Sequence, residues 1–215
     1  MTTERAVRRS TVALLAAALA ACSSQPPAPD WQATAKAASE RAITAYLAGN
    51  ARVEAAELAR ARSEVSRTGR ADLLARVELA QCAAQVASLV FGPCAAFEPL
   101  RADAPPAERA YAAYLTGQAS AADTALLPAQ HRSDSPATVA DPLARLIAAG
   151  VRFQAGRADP ALVALAVDTA SAQGWRRPLL AWLGVQLRLA EQNQQVDEAA
   201  RLKRRIALAA GTPGP

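Results

Sequence analysis

Histidine, methionine and aromatic residues are scarce in this chain of 215 residues. It contains one histidine and one methionine, and phenylalanine, tryptophan and tyrosine together make up 4% of it. A single histidine leaves few ligands for a metal site, and the scarcity of aromatic residues argues against a β-sandwich. The chain also lacks G-x-S-x-G, H-E-x-x-H and a glycine-rich phosphate loop, which mark common enzyme classes. These absences favour a protein that is not an enzyme and that binds neither a metal ion nor a cofactor.

Alanine and leucine supply most of the apolar content, which reaches 52% of the chain. Both residues favour helices, and small alanine side chains let helices approach one another closely. No segment shows the sustained alternation of apolar and polar residues that is typical of a strand. The sequence therefore predicts an all-α fold.

Apolar residues at three- and four-residue spacing, together with capping residues, predict the individual helices. Asp30 is predicted to cap the first helix, and Gly49 with Asn50 ends it. Asp141 and Asp159 each precede a proline, as expected at helix starts. The later predicted helices are approximately Ala51–Thr68, Ala71–Val90, Ala107–Leu115, Pro142–Gln154, Pro160–Ala172, Pro178–Gln192 and Val196–Ala210, with a further short helix near Leu126.

The third predicted helix, at about Ala71–Val90, carries apolar residues on two faces. One stripe includes Leu73 and Val77, and the other includes Leu79 and Val86. A helix that is apolar nearly all round is buried between its neighbours. We therefore expect this helix at the centre of the fold, together with the leucine-rich helix that begins at Pro178.

The N-terminus has the layout of a secretory signal peptide, with a basic start followed by a short apolar run. Residues 11–21 form this run, which is too short to span a bilayer as a helix. The run ends in Leu19-Ala20-Ala21-Cys22, which resembles the lipobox of bacterial lipoproteins. The resemblance implies removal of residues 1–21 and acylation, including palmitate, at Cys22. The alternative is an ordinary signal peptide that is followed by a cysteine by chance.

Lipidation at Cys22 would place the mature protein on a membrane, because several acyl chains anchor a protein better than one. Ser23 follows the cysteine, and resemblance to lipoprotein sorting then favours the outer membrane, facing the periplasm. Residues 22–29 are rich in serine and proline and predict an extended tether. Residues 30–215 would form a single helical domain.

Cys82 and Cys94 remain as a pair once Cys22 carries lipid. In an oxidising compartment this pair predicts a structural disulfide that joins the third helix to the loop after it. The alternatives are a metal site, which would need more nearby ligands, and a redox pair, which normally has C-x-x-C spacing.

Similar sequences recur where helices end. Tyr46-Leu-Ala-Gly-Asn50, Tyr114-Leu-Thr-Gly-Gln118 and Phe153-Gln-Ala-Gly-Arg157 share an aromatic residue three positions before a glycine, and Leu189-Ala-Glu-Gln-Asn193 is a weaker fourth example. Gly49 and Gly117 lie two periods of 34 residues apart. This pattern resembles the tetratricopeptide repeat and implies antiparallel helix hairpins. An irregular helical bundle is the alternative, because repeat lengths drift and the early turn proline of the family is missing.

Arginines near the C-terminus form a candidate interaction patch for an acidic partner, lipid head groups or cell-wall polymer. They are Arg176, Arg177, Arg201, Arg204 and Arg205, of which the last three share a helix face. The alternative is the solvated outer face of a helix that caps the end of the array. The neighbouring carboxylates Asp197 and Glu198 are expected to form ordinary ion pairs, such as Asp197 with Arg201. A net charge of +5, interleaved with acidic residues, does not indicate a nucleic-acid partner. His131 lies in a polar segment with no nucleophile motif nearby, so we expect it on the surface.

Stacked helix hairpins on a lipid tether generally bind other polypeptides. We therefore expect an adaptor or assembly factor of the cell envelope, similar to tetratricopeptide lipoproteins of outer-membrane protein assembly or pilus secretion. A cell-wall enzyme is one alternative, although it would need a pocket containing a carboxyl group with a raised pKa. A carrier that holds a small molecule or lipid between its helices is the other.

Overall fold

The structure is a computed structural model that describes residues 29–211, and this part of the chain is helical with no β-strand. The all-α prediction is confirmed. The α-helices are α1 (Asp30–Ala48), α2 (Ala51–Ser66), α3 (Ala71–Ala87), α4 (Pro106–Leu115), α5 (Ala121–Leu126), α6 (Pro142–Gln154), α7 (Pro160–Ala172), α8 (Arg176–Gln192) and α9 (Val196–Ala210). Short 3-10 helices cover Glu98–Leu100, Ala129–His131 and Pro136–Thr138.

Consecutive helices pack against each other, and the recurring sequences join four of these pairs: α1 with α2, α4 with α5, α6 with α7, and α8 with α9. Helix α7 also packs closely against α8. The connections within the four pairs are short, which makes each pair an antiparallel hairpin. Each recurring sequence lies at one of these four turns. Gly49, Gly117 and Gly156 adopt positive φ angles there of 79°, 72° and 68°. In the fourth turn the left-handed residue is Gln194, with a φ of 57°, and not Asn193.

Helix α3 lies outside these hairpins and contacts α1, α2, α4 and α6. Even its polar residues Glu78 and Gln81 are buried. The Glu78 carboxylate accepts two hydrogen bonds of 2.6 Å from Arg62 of α2, so this buried charge is paired. The predicted central position of this helix is confirmed.

Gly150 marks the closest approach of α6 to α3. A Cβ atom at this position would lie 2.3 Å from the backbone oxygen of Val86, far inside van der Waals contact. Only glycine therefore lets the two helices cross at this distance.

Some helices that are distant in the chain are in contact: α1 packs against α8, and α3 packs against α6. In an open repeat array each unit would contact only the next one. The first three hairpins therefore contact α3, and the last one packs against α7 and α1. One main apolar core runs from α3 through α4, α6, α7 and α8 to α9.

Of the three helix starts at which the sequence predicted a capping aspartate, two are confirmed. Asp141 and Asp159 accept 2.7 Å hydrogen bonds from the backbone N–H groups of Ala144 and Leu162, as expected of N-caps. The prediction for Asp30 was wrong, because Asp30 is already helical and Pro29 precedes the helix. A carboxylate in the first turn still interacts favourably with the helix dipole.

Candidate functional site

Of the cysteines singled out from the sequence, Cys22 lies outside the described residues. The Cys82 and Cys94 sulfur atoms are 2.00 Å apart and their Cα atoms are 5.6 Å apart, at disulfide distance. The bond connects the last turns of α3 to the loop that follows. Both cysteines are buried in the main core, so the bond stabilises a central part of the fold.

Two arginines of the predicted basic patch face the C-terminus of α1. The Arg177 Nε atom donates a 2.8 Å hydrogen bond to the backbone oxygen of Tyr46, and its guanidinium carbon lies 4.1 Å from the centre of the Tyr46 ring. Arg176 donates to the backbone oxygen of Gly49 at 3.4 Å. A cation is favourable at a helix C-terminus, where backbone carbonyl groups lack partners. These two arginines therefore fasten α8 to α1.

The other three arginines of the predicted patch lie on α9. Arg201 forms a salt bridge with Glu198, with a nitrogen–oxygen distance of 2.7 Å, so the predicted pairing with Asp197 was wrong. The Arg201 guanidinium lowers the pKa of the Glu198 carboxyl by hydrogen bonding. Arg204 is exposed and Arg205 is half-buried. The predicted patch thus consists of two groups with different surroundings, and solvent reaches both, because Arg176 on α8 and Arg201 and Arg204 on α9 are exposed.

His131 is buried, with 4% of its surface exposed, so the prediction of a surface position was wrong. Its ring packs against Tyr111 and Tyr114 of α4, with ring centres 5.5 and 5.2 Å away. Burial lowers the pKa of His131 to about 4, although the charge of Asp141 acts in the opposite direction. The residues next to His131 in the sequence are polar and suggested an exposed loop. The burial of His131 depends instead on α4, which lies earlier in the chain.

A groove of about 510 Å³ is the candidate functional site, and it is referred to below as the α3–α4 groove. Its apolar lining comes from α1, α3, α5 and α6 and includes Ile43, Leu79, Leu126, Leu143 and Ile147. Leu126 is 45% exposed, so part of this apolar lining is accessible to a partner. A surface of this size and character is typical of a binding site.

A charged pair spans the edge of the α3–α4 groove. The Nε atom of Arg76 on α3 donates a 2.6 Å hydrogen bond to Oε1 of Glu108 on α4. Glu108 is 9% exposed, and its second oxygen, Oε2, is buried with no hydrogen-bond partner among the described residues. A bound molecule with an N–H or O–H group would satisfy this acceptor.

Arg132 supplies a second positive charge at the α3–α4 groove. Its Nε atom donates a 2.8 Å hydrogen bond to the backbone oxygen of Leu127, which orients the side chain. The groove thus combines an apolar lining with a buried acceptor and two guanidinium groups. Sequence reasoning missed this site, because Arg76, Glu108 and Arg132 are far apart in the chain and belong to no motif.

Within residues 29–211, no helix has the length and apolar character needed to cross a bilayer. The same range contains no group of three or more histidine, cysteine, aspartate or glutamate residues that could hold a metal ion. Comparisons with protein families, with curated proteins and with solved structures found no match to this chain.

Proposed function

We propose that this chain is a lipid-anchored lipoprotein of the bacterial outer membrane, facing the periplasm, whose helical domain binds another envelope protein as an adaptor or assembly factor. The α3–α4 groove is the observation that carries the binding role. The lipobox-like Leu19-Ala20-Ala21-Cys22 supports the anchor, and the serine and proline residues of the tether would hold the domain away from the bilayer.

The partner is an amphipathic helical segment that carries an acidic residue beside its apolar face. Apolar side chains of such a segment would enter the groove, as in other helix-in-groove complexes. The acidic residue would face Arg132, whose charge has no carboxylate partner among the described residues. A polar side chain of the segment would donate to Glu108 Oε2.

The two alternative functions fit the groove less well. A lipid tail would fill the apolar part but would bring no hydrogen-bond donor for the buried oxygen of Glu108. For a hydrolytic enzyme, His131 would need a nucleophile within hydrogen-bond reach. The polar side chain that His131 contacts in the described structure is Tyr111.

Photo-crosslinking in intact cells tests the binding role. A photoreactive residue at position 126 should crosslink to an envelope protein through an apolar helical segment with an acidic residue, which peptide mass spectrometry would identify. The same residue at Leu208, which is 83% exposed on α9, is the positional control. Ala107→Glu places a carboxylate beside the groove and should lower the crosslink yield by about tenfold, equivalent to about 1.4 kcal/mol.

Ala161→Glu is the matched control for Ala107→Glu. Both alanines are exposed, and each directly follows the proline that begins a helix, but Ala161 lies outside the groove. Equal yields from the two variants would contradict the proposed site. Crosslinks to lipid alone would favour the carrier function, and equal products from positions 126 and 208 would rule out specific binding in the groove.

Cell fractionation tests the proposed lipid anchor at Cys22 independently of the groove. Cys22→Ala should move the protein from the membrane fraction to the soluble fraction or leave its signal peptide uncleaved, because the acylated sulfur is lost. Ser23→Ala should keep the protein in the membrane fraction, and mass spectrometry of its N-terminal peptide should show the acyl chains. A processed Cys22→Ala protein that stays in the membrane fraction would contradict lipid anchoring without affecting the groove.

A further inference from the structure

A second cavity, of about 320 Å³, lies beside His131 and is referred to below as the His131 cavity. It is formed by α4, α5, α6 and the segment that follows α5. Leu127 and Arg132 line both this cavity and the α3–α4 groove, so the segment that contains them separates the two. The volume is at the lower end of the range for small-molecule sites.

The hydrogen bonding of His131 leaves one ring nitrogen without a partner. Its Nε2 atom lies 3.5 Å from the hydroxyl oxygen of Tyr111, at the outer limit of a hydrogen bond, and its buried Nδ1 atom has no partner. A tyrosine hydroxyl that donates to Nε2 places the ring proton of neutral histidine on Nδ1. In this tautomer, which a carboxylate placed at Nδ1 would select, the imidazole offers an N–H donor that no group of the described chain accepts.

The charged residues of the His131 cavity are mainly basic. Three arginines and one aspartate line it: Arg132, Arg152, Arg157 and Asp134. Arg152 and Arg157 contact the Asp134 carboxylate only at 3.4 and 3.5 Å, and the Asp134 side chain is 76% exposed. Arg152 is held in place instead by a 2.7 Å hydrogen bond to the backbone oxygen of Asp134. The Arg152 guanidinium is therefore positioned, and Arg152 and Arg157 share the one exposed carboxylate of Asp134.

We propose that the His131 cavity binds a small organic carboxylate, a role independent of the polypeptide-binding groove. One carboxylate oxygen accepts the Nδ1 hydrogen of His131. The negative charge is held by Arg152 and Arg157, whose donors suit the geometry of a carboxylate. The rings of Tyr114 and His131 form an aromatic wall for the carbon skeleton.

Succinate and acetate are the probes, added to the full-length protein in detergent at low salt and followed by calorimetry. His131 is the only histidine in the chain, so its ring signals in an NMR spectrum need no assignment by mutation. Succinate binding should shift these signals and raise the pKa of His131, because a nearby negative charge stabilises the imidazolium. Arg152→Gln and Arg157→Gln should each weaken succinate binding by about tenfold or more, as expected for a charged hydrogen bond.

Arg188→Gln, an exposed arginine of α8 outside the cavity, is the matched control and should bind succinate as the unchanged protein does. Circular dichroism would show whether the variants remain folded, and Arg157→Gln is the safer one because its side chain is 53% exposed. Binding of neither probe would overturn the proposal. Binding that leaves the His131 signals unchanged, or that Arg188→Gln weakens as much as Arg157→Gln does, would also overturn it. Inorganic phosphate binding without succinate binding would overturn the assignment to carboxylates.

Discussion

Replacing Trp182 with alanine is expected to lower the free energy of unfolding by about 4 kcal/mol, as for other fully buried tryptophans. The Trp182 side chain is 0% exposed and meets the Phe153 ring edge to face, with ring centres 5.6 Å apart. Its indole nitrogen donates a 3.1 Å hydrogen bond to the backbone oxygen of Ala87, at the end of α3. The substitution therefore removes a core contact and leaves a buried carbonyl without its partner.

Urea unfolding followed by circular dichroism would measure this loss. Trp182→Phe keeps an aromatic ring but removes the donor, and it should cost about 1–3 kcal/mol. Trp31→Ala is the control, because Trp31 lies in the first turn of α1 and is only partly buried, and its loss should cost clearly less than that of Trp182. A Trp182→Ala protein as stable as Trp31→Ala would contradict the central position of α8.

Acidification from pH 7 to pH 5 is expected to lower the stability by about 2 kcal/mol through His131 alone. The pKa of His131 is about 4 in the folded protein and about 6.5 in an unfolded chain. Between these values the unfolded state binds a proton and the folded state does not, so stability falls as the pH decreases. The full loss, reached below pH 4, is about 3 kcal/mol.

The tyrosines that contact His131 do not titrate between pH 7 and pH 5. Tyr111 and Tyr114 face its ring and remain neutral, because burial raises the pKa of both hydroxyls, that of Tyr114 to about 12. Asp141 is the charged neighbour that opposes the shift. Carboxyl groups whose pKa is lowered by arginines, such as Glu98 and Glu198, lose their contribution to stability only as the pH falls below their ordinary pKa of 4.5. They therefore add little to the change between pH 7 and pH 5.

Urea unfolding at pH 7, 6 and 5 would measure the effect, and NMR titration would report the pKa of the single histidine directly. His131→Phe keeps an aromatic ring that cannot titrate and should be nearly insensitive to pH over this range. A pKa near 6.5, or equal pH dependence in His131→Phe, would show that His131 is exposed in solution.

The candidate site was beyond sequence reasoning for a specific physical reason. Arg76 and Glu108 are 32 residues apart, and each appears in the sequence as an ordinary charged residue of a helix surface. Their pairing depends on how α3 packs against α4, which no local spacing encodes. Glu108 is buried only because neighbouring elements cover it. Its burial and its unpartnered oxygen therefore cannot be recognised from the residues around it in the sequence.

The sequence by itself determined the helices and the turns between them. Proline at a first turn, aspartate before it and a left-handed residue after the last turn act on the nearest backbone groups, so they can be recognised locally. The two-faced apolar pattern of α3 likewise predicted its central position, because apolar side chains in water are driven to a buried environment whatever the partner. The pairing of Cys82 with Cys94 was predicted from the assignment of Cys22 to lipid and from the oxidising compartment that the signal peptide indicates.

Only the tertiary structure decided which distant groups meet. Trp182 and Ala87 are 95 residues apart, Arg177 and Tyr46 are 131 apart, and His131 is buried by tyrosines 20 and 17 residues before it. These contacts arise where elements that are distant in the chain pack together, and their geometry depends on helix crossings such as the one that Gly150 permits. Local rules describe each helix, but the free energy of these contacts depends on the position of every other helix.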